Sequence, residues 1–195
     1  MKKSTAKGTG QTGERALIVM GGLFLAGAAA GSLCSVRLQG LQNLLLTSSN
    51  GAPDLWRALW PQMIYLGVML TAAFLRQGVP VVWLTMAVKG FLLSAVSTTQ
   101  ILQQGNAGYP LMAARTLLPQ FLAVAALVLA GRQAMGWAAL QSRLPAGRGR
   151  RTLPDGTYPV TAVVCLGLLL LSALLQVRVC PALEAAVCSL LPETG

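Results

Sequence analysis

The chain has 195 residues, a mean hydropathy of +0.63 and a formal net charge of +10, yet only 10% of its residues are charged. Soluble domains carry about 25% charged residues, so this composition and the long uncharged runs indicate an integral membrane protein. The basic residues lie at the ends of apolar runs rather than in one patch with aromatic residues, which argues against nucleic-acid binding.

The chain contains no histidine, and its five acidic residues all lie outside the apolar runs. Serine and cysteine nucleophiles therefore lack a histidine base, and zinc sites with histidine ligands are excluded. A Ser–Lys pair is also disfavoured, because Ser94 and Ser97 are poorly spaced from Lys89 for one helix face. We expect no catalytic residue, no metal site and no cofactor, and we predict that the protein is not an enzyme.

The hydropathy pattern predicts an all-α protein, a polytopic transmembrane helix bundle of about five spans. Residues 1–15 are polar and basic and are interpreted as a cytoplasmic tail. Residues 16–180 are expected to form a single transmembrane domain, followed by a short outer tail at 181–195. The predicted spans are 16–36, 59–75, 79–96, 111–130 and 160–177.

The first span contains two glycines four residues apart, Gly27 and Gly31. This spacing puts both on one helix face and permits the close approach of another helix. Glycine is also common in membrane helices without such a role, and both interpretations stay open. We interpret the run as an uncleaved span rather than a signal peptide, because its polar leader is long and the run can cross a bilayer.

Lys89 lies near the middle of the third span, where a lysine costs about 2.5–3.5 kcal/mol. No acidic residue lies in any apolar run, so the charge needs another partner. In one interpretation the long side chain reaches water or carbonyl groups, which Gly90 would allow a second backbone to supply. In another, Lys89 binds an acidic group of a partner protein or an anionic lipid. In the third it is uncharged or lines a pore.

Two prolines fall within predicted spans. Pro61 is expected in the first turn of the second span, where proline is tolerated. Pro119 interrupts the fourth span and is expected to kink it, because its ring clashes with the carbonyl of Arg115. Arg115 itself is interpreted as an anchor at the membrane interface. Pro119 and Gln120 form either an ordinary kink or a break at which a partner helix docks.

The distribution of basic residues predicts the orientation, because cytoplasmic loops are enriched in lysine and arginine. With the N-terminus inside, ten basic residues fall in inside segments, and three fall outside: Arg37, Arg57 and Arg178. Five spans then place the C-terminus outside. Cys180 and Cys188 would lie on the outer side, either joined by a disulfide or as small apolar filler.

The final five residues, 191–195, read LPETG and match a sortase recognition pentapeptide. We interpret them as an added tag or a coincidence rather than as part of the function.

Four fragments occur in order between residues 78 and 120: Gly78-Val79-Pro80, Lys89-Gly90-Phe91, Gly105-Asn106-Ala107-Gly108 and Leu117-Leu118-Pro119-Gln120. In this order and spacing they resemble the stage II sporulation protein M family of endospore-forming bacteria. That family shows a G-x-P link, a K-G-F in a span, a G-x-x-G turn and an L-L-P-Q/H in the next span. One position differs, because Ser94 stands where the family tends to have a second glycine.

The resemblance implies a non-enzymatic scaffold of the cell membrane, in the mother-cell membrane during sporulation. Such a scaffold recruits peptidoglycan hydrolases for septal thinning and forespore engulfment. The partners it implies are stage II sporulation proteins P and D and membrane lipids, with no nucleic acid; an oligomer is left open. The candidate residues for partner or lipid binding are Lys89, Gly90, Phe91, Arg115, Pro119 and Gln120.

The alternative function is a small multispan transporter or channel with Lys89 and Arg115 on an anion path. Paired broken helices in two similar halves are typical of transporters. The sequence shows no internal repeat, so we favour the scaffold.

Overall fold

A computed structural model describes residues 8–37, 55–75, 77–104, 109–110, 113–142, 157–183 and 185. In these segments every regular element is helical and no strand is present, which confirms the predicted all-α class for the part of the chain described. The five long helices are α1 (Gly8–Arg37), α2 (Leu55–Ala72), α3 (Gly78–Gln104), α4 (Leu118–Ser142) and α5 (Thr157–Leu174). A π-helical turn, Ala113–Leu117, precedes α4, and a second, Leu175–Val179, follows α5.

Four of the described helical segments are long and apolar enough to cross a membrane. These candidate spans are Ala16–Arg37, Gly78–Leu102, Leu118–Leu140 and Thr157–Leu183. The helix outside this set, α2, has 18 residues and includes Arg57, Pro61 and Gln62. Its length reaches about 27 Å at 1.5 Å per residue, close to the thickness of a hydrocarbon core, so polarity rather than length sets it apart.

Helices α1 and α3 are parallel neighbours. Gly27 lies against Ala87 and Gly31 lies against Phe91, so the same offset in residue number holds at both contacts. The hydroxyl of Ser35 continues the series by donating to the carbonyl of Ala95 at 3.2 Å. A constant difference in residue number means that the two helices run in the same direction.

Helices α4 and α5 are antiparallel, because Cys165 contacts Ala126 while Ser172, further along α5, contacts Pro119 at the start of α4. Helix α2 is also antiparallel to α5, since Tyr158 at the start of α5 bonds to Leu70 late in α2. Helices α1, α3 and α5 therefore run one way through the bundle, and α2 and α4 run the other way.

A tight turn joins α2 to α3. The N–H of Gly78 donates to the carbonyl of Leu75 at 3.0 Å, one of a series of bonds that span three residues. Gly78 lies so close to the carbonyl of Ala72 that a Cβ atom would collide with it, so glycine is required at this position. We call this side of the bundle the Gly78 end. The opposite side, where α4 begins, is the Thr116 end.

The core is built around α4. Its alanines at positions 123, 126, 130 and 134 are fully buried, and their spacing of three or four residues keeps them on one face. Near the Gly78 end, the side chains of Met20, Met69 and Val82 meet around Gly131. Side chains of α1, α2 and α3 thus pack against α4 at this level, and apolar atoms fill the interior of the bundle.

The helix bounds differ from the expected spans in three places. Helix α1 begins at Gly8, so it includes residues 8–15 of the segment expected to be a tail. Helix α2 begins at Leu55, which moves Pro61 from the first turn to the second. Helix α4 continues to Ser142, past the expected end at residue 130. Hydropathy marks where a helix meets lipid, whereas the alanine, glutamine and leucine residues between 133 and 141 continue α4 beyond that point.

Candidate functional site

Lys89 lies near the middle of the candidate span Gly78–Leu102, and only 8% of its surface is exposed. Its Nζ lies 5.1 Å from the centroid of the Tyr65 ring on α2. Within the described residues it has no ion pair and no hydrogen bond. An aromatic face attracts a cation, by about 2 kcal/mol when both are desolvated. The structure therefore turns Lys89 toward its own bundle and leaves little of the side chain for a partner or a lipid.

A second polar group lies on α2 one turn from Tyr65. The side-chain amide of Gln62 donates from Nε2 to the hydroxyl of Ser172 on α5 at 3.4 Å. The hydroxyl of Ser172 in turn donates to the carbonyl of Pro119 on α4 at 2.7 Å. These three residues join α2, α4 and α5 inside the bundle.

This chain of bonds fixes the orientation of the Gln62 amide. Ser172 has one hydroxyl hydrogen, and it is used in the bond to Pro119, so Gln62 must present its NH₂ group to Ser172. The Oε1 atom of Gln62 then points elsewhere, and it is buried with no hydrogen-bond partner among the described residues. A buried acceptor left unpaired costs about 1–3 kcal/mol.

Pro119 is the second residue of α4 and is fully buried. The π-helical turn Ala113–Leu117, which contains Arg115, runs directly into α4 just before the proline. The regular α-helical pattern is therefore interrupted at the residue whose carbonyl the proline ring would meet. The predicted kink itself stays a prediction. Gln120 follows Pro119, half-buried, and its Oε1 is the second buried acceptor without a partner in the described part of the chain.

Arg115 lies in the turn Ala113–Leu117, and its side chain is outside the described residues, so its predicted role as an anchor stays a prediction. The neighbouring Thr116 is buried and donates to Oε1 of Gln100 on α3 at 3.1 Å. This bond joins the end of α3 to the segment that leads into α4.

The glycines singled out in the sequence lie where α1 and α3 touch. A Cβ atom on Gly27 or Gly31 would collide with the carbonyl of Ala87 or Phe91 on α3. In the other direction, a Cβ atom on Gly90 would collide with the carbonyl of Phe24 on α1. Backbones at this distance gain weak Cα–H···O contacts in addition to van der Waals packing.

Gly90 thus admits a second backbone, as the sequence suggested. The carbonyl that approaches belongs to Phe24, and Lys89 does not bond to it or to any other described carbonyl. Phe91 contributes its own carbonyl to the contact with Gly31, while its side chain is half-buried. The three neighbours Lys89, Gly90 and Phe91 therefore serve two surfaces of α3, one facing α2 and one facing α1.

The cysteines do not form a described cluster. Cys165 is buried in α5 and contacts the carbonyl of Ala126 at 3.2 Å. Cys180 is buried after the second π-helical turn, while Cys188 lies outside the described residues, as does the LPETG pentapeptide. The proposed Cys180–Cys188 pairing stays a prediction. Across the described segments, no group of three acidic, histidine or cysteine residues is placed to hold a metal ion.

Three residues of this polar interior were not singled out from the sequence: Gln62, Tyr65 and Ser172. A signal for two of them was present, because Gln62 and Tyr65 are polar groups three residues apart in an apolar run and so share a helix face. The position of Ser172 in the long run of α5 gives no comparable signal.

Comparisons with protein-family models, with curated proteins and with solved structures find no match to this chain.

Proposed function

We propose that the protein is a non-enzymatic membrane scaffold that resembles stage II sporulation protein M. In this role it would recruit stage II sporulation proteins P and D to the mother-cell membrane for septal thinning and engulfment. The motif residues are the observation that carries the proposal. Gly78 lies against Ala72, Gly90 lies against α1, and Pro119 accepts a bond from α5.

This placement supports the resemblance because three of the four fragments each have a residue at a point where two helices touch. The fourth fragment, residues 105–108, lies outside the described residues. Residues that set helix contacts determine the shape of a bundle, and a scaffold needs a defined shape more than a reactive group. The buried hydroxyl groups of Ser172 and Tyr158 bond to backbone carbonyls. Neither of them forms a pair of nucleophile and base.

The proposal includes five crossings, with the N-terminus inside and the C-terminus outside. The alternating directions of the five helices support it, because α2 runs alongside the others from the Thr116 end to the Gly78 end. Of the ten inside basic residues of the sequence prediction, the two in described helices, Arg15 and Arg132, lie toward the Gly78 end. Arg37, Arg57 and Arg178 lie toward the other end.

The test is recovery of the partners from sporulating host cells. A tagged full chain expressed from its own locus is cross-linked during engulfment and purified, and an unrelated tagged polytopic protein serves as control. Proteins P and D should co-purify with the chain and not with the control. Recovery of neither, from cells in which both are present, would contradict the proposal.

Lys89→Met tests whether Lys89 is part of that contact. The substitution keeps an unbranched side chain that is one atom shorter and removes its charge, so insertion should be retained. Reduced recovery of the partners would place Lys89 at the contact. Equal recovery with the wild-type chain and the Lys89→Met variant would remove it from the contact and leave the scaffold proposal standing.

The transporter or channel remains the second candidate, and the buried cation Lys89 is the observation that favours it. A path across the bundle would also have to pass the Gly78 end, where Met20, Met69 and Val82 pack around Gly131. Flux of anions into proteoliposomes that contain the purified chain decides between the two functions. We expect no flux above that of protein-free liposomes.

A further inference from the structure

Burial on the face of α3 that carries Lys89 changes along the helix. Toward the Gly78 end, Val82, Thr85 and Met86 are buried. Lys89 is the last buried residue on this face, and the positions four, seven and eleven residues beyond it, 93, 96 and 100, are only half-buried. This face of α3 is therefore fully packed on one side of Lys89 and more exposed on the side toward the Thr116 end.

Unpaired polar atoms lie in the same part of the bundle. Gln62 is one turn from Tyr65 in the direction of the Thr116 end, and Gln120 is in the first turn of α4 at that end. Both have a buried Oε1 with no partner among the described residues. An uncompensated cation and two unpaired acceptors in one region are expensive in an apolar interior.

A small anion accompanied by water would satisfy Lys89 and Gln62, which lies one turn from Tyr65. The anion offsets the charge of Lys89, and water molecules in its shell donate hydrogen bonds to amide oxygens, which an anion alone does not do. A lipid phosphate is a poor alternative, because Lys89 lies 11 and 13 residues from the two ends of the candidate span Gly78–Leu102, or about 16 and 20 Å along the helix. Within the described helices, no acidic side chain reaches Lys89.

We propose that Lys89, beside Tyr65 and Gln62, binds one small monovalent anion that enters from the Thr116 end. The site is a binding site and not part of a path, because the apolar contacts around Gly131 close the bundle on the other side. The proposal does not depend on the scaffold function.

The experiment measures thermal unfolding of the purified full chain in detergent micelles. Chloride replaces a bulky organic sulfonate stepwise at constant ionic strength, and acetate is the second probe. A ligand that binds only the folded state raises the melting temperature as its concentration passes the dissociation constant. For a chain of this size we expect a saturable rise of roughly 5–10 °C at a hundredfold excess over that constant.

Three variants identify the site. Lys89→Met should lose the saturable rise, while Lys89→Arg, which keeps the charge, should retain it. Arg132→Met is the matched control, because Arg132 is an exposed cation on α4, and it should respond as the wild-type chain does. If Lys89→Met does not fold, broadening of the chloride NMR line by the wild-type chain, relieved by acetate, replaces that comparison.

Two outcomes would overturn the proposal. The first is a wild-type chain whose melting temperature shows no saturable response to either anion. The second is a response in Lys89→Met equal to that of the wild-type chain, because an anion that acts without the lysine binds elsewhere.

Discussion

The hydroxyl of Ser172 donates a 2.7 Å hydrogen bond to the carbonyl of Pro119, which lies 53 residues earlier in the chain. The bond is buried, and the same hydroxyl accepts from Gln62. One serine therefore connects three helices at the start of α4. In an apolar interior such a bond also sets the rotation of α5, because any other rotation leaves the hydroxyl unpaired.

Ser172→Ala should destabilise the bundle, because it removes the bond to Pro119 and leaves the Gln62 amide with no partner. Hydrogen bonds between membrane helices contribute about 0.6 kcal/mol on average and up to about 1.7 kcal/mol, and we expect the upper part of that range. Unfolding in detergent by a denaturant gives the measurement. Ser32→Ala is the control, since Ser32 bonds only within α1, to Ala29, and its loss should have little effect.

Gly31→Leu should separate α1 from α3, because the new side chain would collide with the backbone carbonyl of Phe91, which cannot move aside as a side chain would. We expect a loss of about 1–3 kcal/mol, typical of overpacking. Gly22→Leu is the matched control, because no atom lies within 4 Å of a Cβ built at Gly22.

The two glycine variants are compared by thermal unfolding and by cross-linking of cysteines placed at Ser35 and Ala95, which the wild-type structure brings together. Equal stability of Gly31→Leu and Gly22→Leu would mean that the close contact between α1 and α3 is absent.

Substitutions of Tyr65 should show whether its ring stabilises the Lys89 charge. Tyr65→Phe keeps an aromatic face under Nζ, whereas Tyr65→Leu removes it, so Tyr65→Leu should be less stable by about 1–2 kcal/mol. The free energy of unfolding is measured for both variants, first in the wild-type background and then with Lys89→Met. A difference that stays the same without the lysine would assign the effect to packing alone.

The termini should lie on opposite sides of the membrane if α2 crosses it. With five crossings, an epitope tag at the C-terminus is cleaved by protease added to spheroplasts, and a tag at the N-terminus is protected. Inverted vesicles should give the reverse pattern and serve as control. Equal protection of the two tags would mean an even number of crossings, as expected if only the four candidate spans cross.

Parts of the candidate site were predictable and parts were not. Lys89 could be identified from the sequence alone, because a charged residue in a long apolar run carries a free-energy cost whatever the run packs against. Gly27 and Gly31 likewise indicate a close helix contact by their spacing. Neither pattern names the partner, since Tyr65 and the backbone of α3 come from other segments of the chain.

Helix α4 also shows what the sequence alone does not predict. The proline at 119 predicts a disturbance of the helix, but the sequence placed it inside a span that begins at residue 111. The structure shows a π-helical turn, Ala113–Leu117, that runs directly into α4 at Leu118. The sequence could predict a disturbance near the proline but not its form, because that form depends on tertiary contacts such as the bond from Ser172 to the Pro119 carbonyl.

The amino-acid sequence by itself determined the helical class, the long apolar segments and the absence of histidine chemistry, because composition and local periodicity are properties of neighbouring residues. Only the tertiary structure decided that Lys89 lies over Tyr65, that α1 packs parallel to α3, and that Ser172 connects α4 and α5. These relationships depend on the rotation and offset of whole helices. Such rotations are fixed by the sum of many contacts between distant segments, and no single segment contains that information.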